Sequence, residues 1–445
     1  MIEKKYLNPW KLYEIKRGKL QTACCEGRKT MMTRRDFLGA ISWSAFTIPA
    51  FAQWDFAQSK VQDIKFPEKN DPDYWSKLRK LFPMPEDQAF FNTGTLGAQP
   101  TVVMESTIEH IRKVATDIAE WDYKDDWISG YKPYRVIRGK LAELINATTE
   151  EIALTENATA GMNYISNGLR LESGDVVLGT DQEHTGGRSG WLVKQKREKI
   201  VYRPIPVPKP AKDPQQVVDI FKRAMGKKVK VIAIPHIISG NGTILPIKAI
   251  CAEAKKRGIF TVIDGAQALG QIAVDVMDLD CDAYYSSMHK WLLAPPGNGM
   301  LYVRQERMQD IWTTMASGNW DNHEDDGYRL TQRGTGNLAL LIGLNTALDV
   351  HQQIGPARVY KRIKFLGDAL REGLKNIKKV QIFTPMHHEM SAGITSYSIK
   401  GLMEGRLVDE LWRRKKIRIR GVRQSTHIYN SPQEIEDTLK IVGDL

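Results

Sequence analysis

The chain has 445 residues, 42% hydrophobic and 26% charged, with no low-complexity tract and no internal repeat, which excludes disordered, collagenous and solenoid architectures and leaves room for two or three domains. The net charge of +12 invites a nucleic-acid reading, but half of the excess falls in residues 1–52, where ten Lys and Arg face four acids. The other basic run, "RRKKIRIRGVR" at 413–423, alternates with Ile and Val as a solvated edge strand does, so no nucleic-acid partner is expected.

In chain order, the first element is an address rather than a fold. "TRRDFLGAISWSAFTIPAFAQ" at 33–53 has paired arginines, then an apolar run too short for a comfortable membrane span, then Ala50-Phe51-Ala52, a small-residue cleavage pattern before Gln53. Thr33-Arg34-Arg35-Asp36-Phe37-Leu38 resembles the twin-arginine export signal of bacteria. Residues 1–52 are therefore expected to be a twin-arginine-type signal read by the export machinery, with no stable membrane anchor and a periplasmic or secreted mature protein. Met31 and Met32 offer alternative starts that suit such a signal better.

Residues 53–100 read as an N-terminal arm, rich in Pro and charge, with one short helix. From about 101 apolar strands alternate with helices. The strand-like runs are "DVVLGT" (175–180), "KIVYRPI" (199–205), "VKVIAIPH" (229–236), "FTVIDGAQ" (260–267) and "AYYSSM" (283–288). Between them, "IKAICAEAKKRG" (247–258) has a helical period and ends at Gly258. This pattern predicts an α/β fold whose sheet is covered on both faces, spanning 101–340. Two helices and the strand-like "VQIFTP" and "AGITSYSIK" follow, giving a smaller C-terminal α+β domain at 341–445.

In such sheets ligands gather at the carboxyl ends of strands. Asp264 and Gln267 come straight out of one strand, as a cap or as a functional anion. "LTENATAGMNYISNGL" presents Asn157, Thr159 and Gly161 where a strand gives way to a helix, an arrangement that receives a phosphate or simply caps the helix. His184 follows another strand, and its planar ring could stack on an aromatic ligand. Lys290, in "SSMHKW", sits between Ser287-His289 and a Pro-Pro-Gly loop, either a solvated turn residue or an amine kept for chemistry. Beyond Cys24 and Cys25 the chain has only Cys251 and Cys281, in no ligand-like spacing, so no metal site is expected.

Together these residues resemble the class V aminotransferase family, the branch that includes isopenicillin N epimerase-like proteins and cysteine desulfurases. The matching stretches run from about 88 to 440: "NTGTLGAQP" (92–100), "TENATAGMN" (155–163), "IDGAQALG" (263–270), "SMHKW" (287–291), "RGTGN" (333–337) and "VRQSTHIYN" (422–430). The resemblance implies the fold-type-I architecture, pyridoxal 5'-phosphate (PLP), and a homodimer with shared active sites. It makes Lys290 the lysine that joins the cofactor as a Schiff base and then moves the proton. Asp264 would pair with the ring nitrogen, Gln267 would donate to the phenolic oxygen, and His184 would stack on the ring. Ala158, Thr159, Ser287 and His289 would hold the phosphate, with Thr335 added by the second subunit, and Arg423 would bind the substrate carboxylate.

This sequence departs from the family pattern at three places. Ser239 stands where many relatives have asparagine near the phenolic oxygen, leaving Ser239 and Asn241 as alternatives. Gly336 stands where proline or arginine is common, and the stretch before Arg423 is short. No cysteine follows Cys281, so the mobile thiol of a desulfurase is missing. The expectation is an exported PLP enzyme acting at the α-carbon of an amino acid or peptide-like amine, of aminotransferase or epimerase type. A PLP-dependent elimination enzyme (lyase) and a non-catalytic binding protein on the same fold are the alternatives.

Overall fold

The computed structural model describes residues 60–117, 119 and 131–445. The signal-type segment at 1–52 lies outside them. A short helix, Tyr74–Arg79, leads to β1 (Ala89–Phe90) and the helix Thr101–Thr116. The main sheet is built from β2 (Ile152–Thr155), β3 (Val176–Thr180), β4 (Val201–Ile205), β5 (Val229–Pro235), β6 (Phe260–Asp264), β7 (Ala283–Ser287) and β8 (Gly299–Val303). Its strand order is β2-β8-β7-β6-β5-β3-β4, and only β8 runs antiparallel to its neighbours.

The strands read as continuous apolar runs because both faces are buried. Val176, Leu178, Ile232, Ile234 and Ile263 belong to one core, while Val177, Val231, Ala233 and Val262, one residue out of phase, belong to the other. Helices such as Ala158–Gly168 and Ile247–Lys255 cover these faces. Close approach sets some sequence choices. A side chain at Gly161 would meet Tyr285 Cβ at 2.6 Å, so glycine lets the helix Ala158–Gly168 lie on β7.

After the long helices Leu338–Ile354 and Pro356–Lys375, an antiparallel sheet forms from β9 (Val380–Ile382), β10 (Ile394–Ile399) and β12 (Arg423–Ser425). A third core, including Leu366, Leu370, Tyr397, Leu407, Leu411 and Ile441, lies beneath it. β1 pairs in parallel with β11 (Ile417–Arg418), Ala89 opposite Ile417, which ties the N-terminal arm to this region.

The basic run 413–423 is not one edge strand. Arg413–Lys415 end the helix Glu404–Lys415, whose buried face is Leu407 and Leu411, and Lys416 turns the chain with φ of 53°. Only Ile417–Arg418 is a strand before the turn into β12. The alternation of Ile with Arg persuades as a strand, but helical period upstream and a left-handed cap override it. Among the described residues no helix is long and apolar enough to cross a membrane.

Candidate active site

The carboxyl ends of β2, β3, β5, β6 and β7 and the amino end of β8 share one edge of the main sheet. At β3 the order reverses, β4 lying on one side and β5 on the other. Along this edge opens a cavity of about 580 Å³. Ala158, Thr159, His184, Asp264, Gln267, Ser287, His289, Lys290 and Arg423, separated by up to 265 positions in sequence, all line it.

Lys290 stands in a tight loop after β7. Met288 N donates to Asn298 O at 3.0 Å and Ala294 N to Met288 O at 3.1 Å, closing the loop, while Leu293 takes φ of 63°. Trp291 is fully buried beneath it, and a His427 ring nitrogen lies 3.0 Å from Trp291 O. Gly97 N donates to His289 O at 2.8 Å, and a side chain at Gly97 would sit 2.1 Å from Lys290 O. Held this way, the Lys290 amine loses hydration, and burial lowers its pKa; the charge of Asp264 opposes the shift. Asp264 ends β6 with Oδ1 accepting from Ala266 N at 2.8 Å. Burial raises its pKa, and Lys290 is the first influence pulling it back. A half-buried amine and a buried carboxyl thus each favour the other's charged form.

The Gln267 amide is fixed by its neighbours. Trp291 Nε1 only donates, so the atom it meets at 2.9 Å is Oε1. Gln267 Nε2 then donates to Gly94 O at 2.8 Å and retains a second hydrogen. His184 caps the helix Thr185–Glu198, its Nδ1 accepting from Gly186 N at 3.1 Å. That places its proton on Nε2, and burial followed by Lys290 lowers its pKa, favouring the neutral ring.

At the start of the helix Ala158–Gly168, Asn157 Oδ1 accepts from Ala160 N at 2.9 Å. Ala158 N donates to Ser287 Oγ at 2.9 Å, bringing the hydroxyl onto the helix N-terminus. His289 lines the same cavity; its Nδ1 is buried without a hydrogen-bond partner, and burial drives its pKa down to about 4.

Arg423 is 8% exposed, with Nη1 donating to Ser239 O at 3.0 Å and Nη2 to Thr95 Oγ1 at 2.7 Å. Between Ser239 and Asn241, the cavity wall is Ser239: Asn241 is fully buried, donating to Gln182 Oε1 and accepting from Thr243 N. Thr335 lies on an exposed loop between the helices Asp326–Thr331 and Leu338–Ile354 and does not line this chain's cavity. Liners that went unread in the sequence include Gly94, Thr95, Gly186, Gly187, Glu404 and Arg420.

The class-V aminotransferase family profile matches residues 90–441. The chain belongs to the class-V aminotransferase family. Isopenicillin N epimerase of Amycolatopsis lactamdurans is 28% identical over 398 residues, covering 83% of this chain and 98% of that protein. A probable cysteine desulfurase of Pyrococcus abyssi is 26% identical, covering 83% of this chain and 96% of the relative. A solved C-DES mutant with glycine covalently linked to its PLP cofactor has a TM-score of 0.74 at 24% identity, covering 82% of this chain and 99% of that one. The fold is accordingly the fold-type-I α/β architecture, and this class-V protein is PLP-dependent.

The cavity of this class-V enzyme fits that cofactor. The helix start, the Ser287 and Thr159 hydroxyls and the unpartnered His289 nitrogen form a set suited to phosphate. Gly186 and Gly187 keep a flat space beside it: side chains there would fall 2.7 Å from Thr159 Oγ1 and 3.1 Å from Asp264 Oδ2.

Proposed function

We propose that this class-V enzyme removes and returns a proton at the α-carbon of an amino acid or peptide-like amine, as an epimerase or an aminotransferase does. The observation carrying this reading is a half-buried Lys290 amine in one cavity with Asp264 and Arg423, and with no thiol among the residues lining it. Among the described residues the free cysteines are Cys251 and Cys281, both buried away from the cavity, so the desulfurase reading has no sulfur nucleophile. Pyridoxal phosphate, when bound, supplies the electron sink that stabilises negative charge at the α-carbon. Asp264 would hold the ring nitrogen's proton, and Gln267, pinned by Trp291, would donate from Nε2 to the phenolic oxygen. Lys290, with its lowered pKa, takes up the α-proton as a neutral amine and gives it back. Arg423 orients the substrate carboxylate.

The test has two arms. Borohydride treatment of the purified yellow protein, followed by peptide mapping, is expected to fix the cofactor on Lys290 and to fix none in Lys290→Ala. Incubation with candidate amino acids in deuterated water is expected to introduce deuterium at the α-carbon. Inversion without keto-acid product marks an epimerase, and keto acid marks an aminotransferase. A colourless protein that takes up no added PLP would overturn the reading in favour of a non-catalytic binder. We also propose export through the twin-arginine system, supported by residues 33–53, and a homodimer in which Thr335 reaches the partner's cavity. Fractionation of cells for the first, and sedimentation with a Thr335→Ala cofactor-affinity measurement for the second, decide these.

A further inference from the structure

The rim of the cavity carries more positive charge than one substrate carboxylate requires. Arg420, Gly421, Val422 and Arg423 form a tight turn, with Arg420 N donating to Arg423 O at 3.1 Å and Arg423 N to Arg420 O at 2.9 Å. Gly421 takes φ of 57°, which closes the turn. This reciprocal pairing sets the two arginines opposite one another. Both guanidinium groups then converge on a single hydroxyl: Arg420 Nη1 meets Thr95 Oγ1 at 2.9 Å and Arg423 Nη2 meets it at 2.7 Å. Thr95 itself donates to Asn92 Oδ1 at 2.8 Å, so its oxygen is free to accept both.

Every acceptor these two arginines have is neutral. Arg423 adds only Asn92 Oδ1 at 3.2 Å and Ser239 O at 3.0 Å. Among the described residues no carboxylate lies within 4.0 Å of either guanidinium, although elsewhere the protein pairs buried arginines such as Arg138, Arg329 and Arg371 with Asp325, Asp326 and Asp368. The Arg423 Nε is buried and lacks any partner. Two like charges side by side repel, and burial together with Arg420 lowers the Arg423 pKa to about 10. Among the described residues Glu404, the first of the helix Glu404–Lys415, is the carboxylate lining the cavity beside this turn, but it packs against Gly421 and forms no ion pair with Arg420.

Resting on the proposed α-carbon chemistry, we infer that the substrate carries a second anionic group, a side-chain carboxylate, which Arg420 receives at the cavity mouth while Arg423 receives the α-carboxylate. The cofactor phosphate would have donors of its own, at the helix start beside Ser287. Arg423 is buried and Arg420 exposed, so the deeper arginine meets the group nearest the reacting carbon. Arg420 is a specificity residue that touches substrate away from the reacting bonds. Glu404, facing the same mouth, opposes a second carboxylate and favours its entry only opposite Arg420.

The test is titration of the holoenzyme, followed through the cofactor's absorbance, with L-α-aminoadipate and with L-norleucine, which lacks the distal charge. The unchanged protein is expected to bind aminoadipate at least tenfold more tightly than norleucine. Arg420→Met is expected to weaken aminoadipate by 10–100-fold and norleucine by less than twofold. Arg420→Lys should recover part of the loss, as a point charge without the bidentate fork. Glu404→Gln should tighten aminoadipate and leave norleucine unchanged. Equal loss for both probes in Arg420→Met, or loss for neither, overturns the inference while leaving the α-carbon chemistry standing. Failure of the unchanged protein to take up PLP overturns both.

Discussion

Lowering the pH is expected to unfold this protein through its histidines. His110, His236, His289 and His351 have pKa values lowered to about 4, and His427 to about 3, in each case mainly by burial. The unfolded chain binds protons at these sites near pH 6.5. Below that pH it takes up protons the folded chain refuses, so stability is fully present above about 6.5 and lost as pH falls toward 4. Three carboxyls act in the opposite sense. Glu183 is raised to about 8, and Asp264 and Glu434 are raised, so they favour folding as they protonate. Five histidines, each half charged in the unfolded chain at pH 6.5 and nearly fully charged at pH 5, against at most three carboxyls leave at least about one net proton per molecule. At about 1.4 kcal/mol per proton per pH unit, the loss between pH 6.5 and 5 is at least about 2 kcal/mol. That is an appreciable share of a stability of roughly 5–15 kcal/mol. Urea unfolding of the cofactor-free protein at half-unit steps from pH 8 to 5, read by tryptophan fluorescence, measures the slope. A flat profile, or stability that rises on acidification below pH 6.5, refutes the argument. His427→Gln, which cannot titrate, should flatten the slope by about one proton.

Three further outcomes are expected. Trp291→Phe leaves Gln267 Oε1 buried without its donor, costing about 1–3 kcal/mol in urea unfolding and shifting the bound cofactor's absorbance; an unchanged spectrum breaks the link between Trp291 and the cofactor. Asp325→Ala strands the fully buried Arg138 guanidinium, which also holds Ile152 O at 2.7 Å, and should cost about 3–5 kcal/mol by the same assay. Gly187→Ala places a methyl 3.1 Å from Asp264 Oδ2, and roughly tenfold weaker PLP retention on dialysis is expected, with little change in the stability of the cofactor-free protein.

Lys290, Asp264 and His184 are legible in sequence for one reason. A polar residue that follows an apolar run in a mostly parallel sheet must emerge at the carboxyl edge, and all such edges coincide. Arg420 and Thr95 are not legible that way, because 325 positions separate them. Their meeting depends on the two-residue pairing of β1 with β11, too short to leave a periodic signal. The run around Arg420 also misleads, since a left-handed Lys416 ends a helix inside an alternating pattern. The choice between Ser239 and Asn241 rests on Asn241 being held inward by Gln182, 59 positions upstream, a contact that composition gives no hint of.

The same geometry explains how the site keeps its charges in order. Asp264 Oδ2 and Glu183 Oε2 both lie within 3.7 Å of one point, where a side chain at Gly187 would stand. A charge on Asp264 disfavours a second charge on Glu183. Glu183 accepts from Thr180 N and shares a 2.9 Å contact with the Thr180 hydroxyl, yet burial and the neighbouring Asp264 still raise its pKa to about 8, so it is protonated at neutral pH. The negative charge therefore rests on Asp264, which has Lys290 to hold it. From that wall outward the order is anion, amine, then the two arginines at the mouth. A ligand that is cationic at its ring end and anionic at its far end matches this sequence of charges. Bound the other way round, its anionic end would lie against Asp264 and be repelled.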